Sequence, residues 1–198
     1  MTSILEVEQL DTLSSNASST LTIGGTNTTT IAFGPNVTTT PSSLANTPSF
    51  QAFKATDQTI SANSYVQIQF DTKDYDTNTC YNNTGSSTTL NGLTAPAYSF
   101  VPNVAGKYLI GAAVNSQTST DFDAFIVAIF KNGTQVNRVI NSNRHYDTAM
   151  TSFIVTANGT GDYFQIYGYT EQSGGSTLQP TDGNSRLMWF CGQKIIGA

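Results

Sequence analysis

Charge is scarce in this sequence. Asp, Glu, Lys and Arg make up 11% of its 198 residues, against roughly 25% in an average soluble protein. The basic residues number 8, are scattered, and are outnumbered, leaving a net charge of −5. That excludes the clustered Lys and Arg needed to grip a phosphate backbone, so no nucleic-acid partner is expected. Cysteine occurs only as Cys80 and Cys191. Their separation excludes a local CxxC metal or redox motif. Two independent thiols or one disulfide both stay open, and one pair defines no disulfide scaffold. No stretch approaches the ~18 consecutive apolar residues of a membrane span, so no membrane insertion is expected. The first residues, MTSILEVEQL, lack the basic and apolar regions of a secretory signal. The chain is therefore expected to be made and assembled in a cytosol.

Catalytic chemistry is equally thin. An enzyme needs positioned nucleophiles, acids or metals. The single histidine, His145, sits with Asp147 in a polar stretch, and no G-x-S-x-G elbow offers a serine for the two to orient. A surface histidine is the expected role, and no catalytic residue is assigned. Asp71, Asp74 and Asp76 have a spacing that would suit Ca²⁺, but the Gly and final Glu of an EF-hand loop are missing. A solvated acidic loop is expected there, with no metal. The segment SGGSTLQPTDG is a flexible loop and not a phosphate-binding one. The chain reads as a non-enzyme without a cofactor.

What fills the sequence instead is Thr, Ser, Asn and Gln, and they are unevenly distributed. Residues 21–40 read LTIGGTNTTT IAFGPNVTTT, two matching blocks of ten. Each opens on an apolar–x–apolar triplet, passes through Gly and closes on three Thr. Leu13, Leu21, Ile23, Ile31, Phe33 and Val37 are the apolar groups of this region. Burying one such side chain yields roughly 1.5–3 kcal/mol, whereas ordering ten residues costs on the order of 10–20 kcal/mol in backbone entropy. A single copy cannot hold itself. Repeats of this kind become stable by stacking or by winding chains together, so residues 11–48 are expected to form a shaft whose apolar side chains meet their copies on an axis. A disordered Thr/Ser linker is the alternative, and the regular apolar spacing opposes it. PSSLANTP closes the segment as a hinge. Ile4, Leu5, Val7 and Leu10 make residues 1–10 a candidate anchor segment.

From Phe50 onward aromatics become frequent, and residues 49–198 read as strand after strand. YVQIQF alternates, with Val66, Ile68 and Phe70 facing one way. KYLIGAAV, with Tyr108, follows a glycine. FDAFIVAIF is apolar on both faces: Phe122, Ala124, Ile126, Ala128 and Phe130 on one, Phe125, Val127 and Ile129 on the other. Such a strand needs a cover on its outer face, either a loop of its own chain or a neighbouring subunit, and the shaft argument favours the subunit. Asn132-Gly133 predicts a hairpin, because both positions tolerate positive φ, with TQVNRVI as the return strand. TSFIVTA and DYFQIYGYT, the latter holding Phe164, Ile166 and Tyr167, flank the turn NGTG. SRLMWFCGQKII, with Trp189 and Phe190, closes the chain. No helical period is convincing, and the strand spacing argues for an all-β sandwich or barrel.

Two segments mix aromatic and polar groups in the manner of recognition loops. They are TKDYDTNTCYNN, with Asp74, Tyr75 and Tyr81, and NSNRHYD, with Arg144, His145 and Tyr146. Asn-x-Ser/Thr sequons occur at Asn16, Asn27, Asn36, Asn82, Asn132 and Asn158, as chance allows in a chain this rich in Asn and Thr, and no glycans are predicted from them.

Four phrases carry a family resemblance. YSFVPNVAGKYLI, VAIFKNGTQV, TSFIVTANGTGDYFQIYGY with its Gly161-Asp162 pair, and SRLMWFCGQKII through Phe190, Gly192 and Ile195 occur in the order found in the globular heads of the complement C1q type. The resemblance covers roughly residues 50–198. It implies a jelly roll shared with tumour necrosis factor, packed as a homotrimer. Collagen repeats, which usually precede such heads, are missing. The decamers instead resemble the shafts of phage tail fibres and large-DNA-virus surface proteins. The expectation is an all-β, homotrimeric fibre or spike on a virion surface, whose head attaches to a host receptor or glycan. A purely architectural vertex protein and a secreted C1q/TNF-like ligand are the alternatives.

Overall fold

The computed structural model describes residues 46–117, 124–141, 146–183 and 185–195, with residue 146 described by its backbone. The anchor, the shaft residues Leu13, Leu21, Ile23, Ile31, Phe33 and Val37, and also Phe122, Arg144 and His145, lie outside the described residues.

Every regular element among the described residues is a strand. In chain order these are β1 (Ser49–Phe53), β2 (Gln58–Ile60), β3 (Val66–Gln67), β4 (Thr72–Asp76), β5 (Tyr81–Asn82), β6 (Thr88–Leu90), β7 (Leu93–Ala95), β8 (Ser99–Phe100) and β9 (Gly106–Gln117). They continue with β10 (Phe125–Lys131), β11 (Thr134–Asn141), β12 (Tyr146–Ala157), β13 (Phe164–Thr170), β14 (Ser176–Leu178), β15 (Thr181–Asp182), β16 (Ser185–Arg186) and β17 (Trp189–Lys194). No helix among the described residues is long and apolar enough to cross a membrane.

Two sheets face each other. The seven-stranded sheet runs β2-β14-β9-β17-β1-β4, with β12 pairing β9 along its free side. The six-stranded sheet runs β11-β10-β13-β8-β5, with β3 on β13. β12 pairs β9 over its full length, from Tyr146↔Gln117 to Ala157↔Gly106. Period-two alternation then sorts the side chains. On β9, Tyr108, Ile110, Ala112 and Val114 turn inward and are fully buried. They meet Phe125, Val127 and Ile129 of β10, also fully buried. Phe50 centres the core, stacked on Tyr81 at 4.5 Å and edge-on to Phe190 at 4.8 Å. The close approach needs a missing side chain: a Cβ on Gly192 would lie 2.9 Å from Phe50 and 3.0 Å from Phe100.

Asn132 and Gly133 both take positive φ, 52° and 78°, and join β10 to β11 as the hairpin their identities predict. The NGTG turn does something else. β12 belongs to the seven-stranded sheet and β13 to the six-stranded one, so the turn between them is a crossing from sheet to sheet and not a hairpin. Asp162 fixes that crossing. Its carboxylate takes Lys131 Nζ at 2.8 Å, Asn132 Nδ2 at 2.7 Å and Asn158 N at 2.9 Å. Asn132 Oδ1 in turn accepts from Tyr163 N. One acidic side chain thus ties the β10–β11 turn to the β12–β13 connection.

Candidate interaction surface

The outer face of β10 has its cover within the chain. Tyr65 lies 5.5 Å from Phe130 and 5.3 Å from Tyr169, and Tyr167 lies 4.3 Å from Phe130. Ile126 and Ala128 between them are buried. For this strand the loop reading replaces the subunit reading, at least over Ile126–Phe130. The aromatics that cover it come from β13 and from the segment before β3, far away in sequence.

The candidate recognition residues part company. Tyr81 is a core residue: it is fully buried, and its hydroxyl donates to Phe70 O at 2.8 Å. Burial, with the charge of Asp71 adding, pushes its phenol well above the ordinary range. Asp74 and Tyr75 sit on a strand, β4, and not in a loop. The β1–β4 ladder slips between Gln51 and Ala52, which leaves Asp74 as the extra residue of a bulge. Its carboxylate takes Arg186 Nη1 at 2.5 and 2.6 Å, and the Arg186 guanidinium stacks on Phe53 at 3.8 Å. Asp71 pairs with Lys54 at 2.5 Å, and Asp76 pairs with Lys73 while accepting from Cys80 N and Tyr81 N. The three acids of this segment therefore serve three different cations. Tyr146 opens β12 opposite Gln117.

Cys80 and Cys191 are both free thiols. The sequon asparagines of the head also have structural work. Asn82 is buried and its Nδ2 donates to Ser86 O, Ala95 O and Pro96 O. Asn158 Oδ1 accepts from Thr160 N and Asp162 N.

The surface that stands out is the outward face of the seven-stranded sheet. Residues directly opposite in an antiparallel pair share a face. One row crosses it as Phe53, Trp189, Ala113 and Met150, and another as Ser49, Gln193, Leu109 and Ile154. Between them run Gln51, Cys191, Gly111 and Ser152. Trp189 lies over Gly111, where a Cβ would touch its ring at 3.4 Å. Met150 is 58% exposed and Ile154 54%. Ile140 of β11 and Phe153 of β12 are exposed by 50% and 41%, each on its own strand. Thr151 Oγ1 and Asn137 Oδ1, 2.7 Å apart, join the two edge strands there. A twelve-residue edge strand with exposed Met and Ile is a surface that proteins normally cover.

Sequence reasoning named Trp189 for this region and missed Met150, Ile154, Phe53 and Leu109. The signal lies in TAMTSFIVTA, where large apolar residues fall on both faces of one strand, the pattern FDAFIVAIF also shows.

No protein family matches the chain, and no curated protein matches its sequence. Solved structures do match in fold. The globular domain of zebrafish complement 1qA protein aligns with 75% of this chain and 96% of its own, at 13% identity and a TM-score of 0.51. Murine APRIL at pH 5.0 aligns with 74% of this chain and 98% of its own, at 10% identity and a TM-score of 0.51. These likenesses establish the fold as a C1q/TNF-like jelly roll. The PRD1 vertex protein P5 aligns at 11% identity and a TM-score of 0.49, over 76% of this chain and 99% of its own.

Proposed function

We propose that this chain is a non-enzymatic surface protein of a virion, a homotrimeric spike whose head serves host attachment. Residues 11–48 form its shaft, residues 1–10 anchor it to other capsid or tail proteins, and the jelly roll is what it presents to a receptor or glycan. The observation that carries the reading is the exposed apolar face of the seven-stranded sheet around Met150, Trp189 and Ile154. Such a patch, meeting a different surface of the next copy, associates head to tail, and such contacts close into a ring when the rotation allows. The C1q/TNF-like fold favours closure at three copies. The decamers add a second, independent demand for copies, since each chain supplies only part of a buried axis. Three heads on one shaft bind weakly but together, and effective concentration multiplies their affinity.

The deciding experiment is mass spectrometry of purified virus particles for peptides of this chain, with antibody labelling to place it outside. Its absence from particles ends the virion reading. The fold likeness also favours a secreted C1q/TNF-like ligand, which predicts the chain free in culture medium. A purely architectural vertex protein predicts particles that carry the chain, with no competition for infection by the added full-length protein.

A further inference from the structure

Asn82 holds the neck of a hairpin. It stands on β5 opposite Ser99 of β8 and is 2% exposed. Its Nδ2 donates to Ser86 O at 2.8 Å, Ala95 O at 3.0 Å and Pro96 O at 2.9 Å. Its Oδ1 accepts from Thr84 N at 2.9 Å and from Thr84 Oγ1 at 2.8 Å. Ser86 comes just before β6, Ala95 ends β7 and Pro96 follows it. One amide group thus fastens both feet of the β6–β7 hairpin to the six-stranded sheet. An asparagine has two amide hydrogens, and here they serve three carbonyls.

The same residue opens Asn82-Asn83-Thr84, an acceptor sequence for N-linked glycosylation. In that reaction Nδ2 attacks the first sugar carbon of a polyprenyl-diphosphate-linked oligosaccharide. A bond forms from Nδ2 to that carbon, the bond from the carbon to the phosphate oxygen breaks, the diphosphate leaves, and Nδ2 gives up one proton. The transfer takes place on the emerging chain, ahead of folding. A glycosylated Asn82 would keep one N–H for three carbonyls, and a carbonyl left without its donor inside the neck is costly. The sugar carbon would also sit where a hydrogen now points at an oxygen. An N-glycan is bulky and belongs on the surface, and a side chain this buried gives it no route out.

Asn132 and Asn158 provide the contrast. Both open Asn-Gly-Thr sequences, and both are exposed. Asn132 Nδ2 donates to Asp162 Oδ1, a bond that one remaining N–H can still make. Asn158 accepts through Oδ1, which glycosylation leaves untouched. We propose that Asn82 is a glycosylation acceptor the fold forbids, and that the chain therefore folds where N-glycosylation does not operate. The inference stands apart from the virion reading, since it concerns where the head folds. It opposes a ligand matured in a glycosylating secretory pathway, and it narrows a virion protein to one that folds outside such a lumen.

Forced secretion tests it. The full chain, given a cleavable signal peptide, is expressed in a glycosylating eukaryotic host. Thr84→Ala is expressed beside it, which removes this sequon and keeps Asn82. Enzymatic deglycosylation in heavy-oxygen water, followed by peptide mapping, marks every asparagine that carried a glycan. In the parent, soluble secreted chain should carry glycan at Asn132 or Asn158 and none at Asn82. Glycan at Asn82 should be confined to retained or aggregated chain. Thr84→Ala should raise the secreted yield several-fold. Soluble chain that carries a glycan on Asn82 and melts with chain made in a bacterial cytosol overturns the proposal. So does an Asn82 left unmodified in the soluble and retained pools alike, because the transferase then passes it over. These two readings come from the parent and hold whether or not the variant folds.

Discussion

Met150 and Trp189 stand in one row on the outward face of the seven-stranded sheet, each directly opposite Ala113. Ala113 between them is buried to 1% exposure, so the two large side chains flank the one strand, β9, that separates them. Met150, 58% exposed, and the half-buried Trp189 offer an apolar surface to a second copy. Met150→Asp should therefore leave the fold within about 0.5 kcal/mol of the parent, because the residue is largely exposed in the single chain. It should weaken subunit association at least about a hundredfold, or ~2.7 kcal/mol, since it sets an unpaired carboxylate in an apolar contact. Sedimentation at several concentrations reads the second effect and urea denaturation of the dissociated chain the first. Unchanged association moves the interface elsewhere.

Asp162 makes stability depend on acid. Burial opposes its ionisation, but Lys131, Asn132 and the backbone N–H of Asn158 outweigh that and hold its carboxyl below the ordinary 3.8. The native state therefore holds fewer protons than the unfolded state in acid. The stabilisation is complete above about pH 4 and drains away as pH falls through the lowered value. Asp71, held down against burial by Lys54 and the Ala55 N–H, acts in the same sense. Asp162→Ala should cost about 2–3 kcal/mol at pH 7 and flatten the acid limb of a plot of urea midpoint against pH. A variant whose acid limb matches the parent's means the clasp is not an ionised one.

The two thiols should react in a fixed order. Burial, with Asp76 adding, pushes Cys80 up to about 11 against the hydrogen bonds from Asn103 and Asn91. It stays a neutral thiol at pH 8, sealed in the core. Cys191 is also raised by burial, but it is only half-buried and lies on the outward face beside Trp189. Iodoacetamide with peptide mapping should label Cys191 slowly in the assembled protein, faster in Met150→Asp, and Cys80 only on unfolding. Equal labelling of both in the native protein contradicts the placement of Cys80.

Gly192 leaves no room for a side chain. Gly192→Ala would set a methyl about 3 Å from Phe50, Phe100 and Ile110, atoms held by their own packing. A loss of about 1–3 kcal/mol is expected, read as a lowered melting temperature. No loss means that the ring cluster yields.

Much of this head was legible in its sequence, for local reasons. Asn132-Gly133 announces a turn because few other pairs accept positive φ twice, and Phe125, Val127 and Ile129 announce a buried face because the strand period is two. What was not legible depends on partners distant in sequence. NGTG looks like a hairpin turn, and only Asp162 reaching across to Asn132 reveals that the chain changes sheets. Tyr81 carries the composition of a recognition loop, yet Phe50 stacks on it from a strand some thirty positions earlier. The outer face of β10 is apolar in the sequence, and nothing local says that Tyr65 and Tyr167 will cover it.

The central claim is that this chain works as three copies. The molar mass of the intact protein in solution, by light scattering across a tenfold range of concentration, tests it most directly. The account predicts a constant mass three times the 21.1 kDa of one chain. A mass of 21.1 kDa throughout contradicts it, and with it the role assigned to the shaft and to the Met150–Trp189 face.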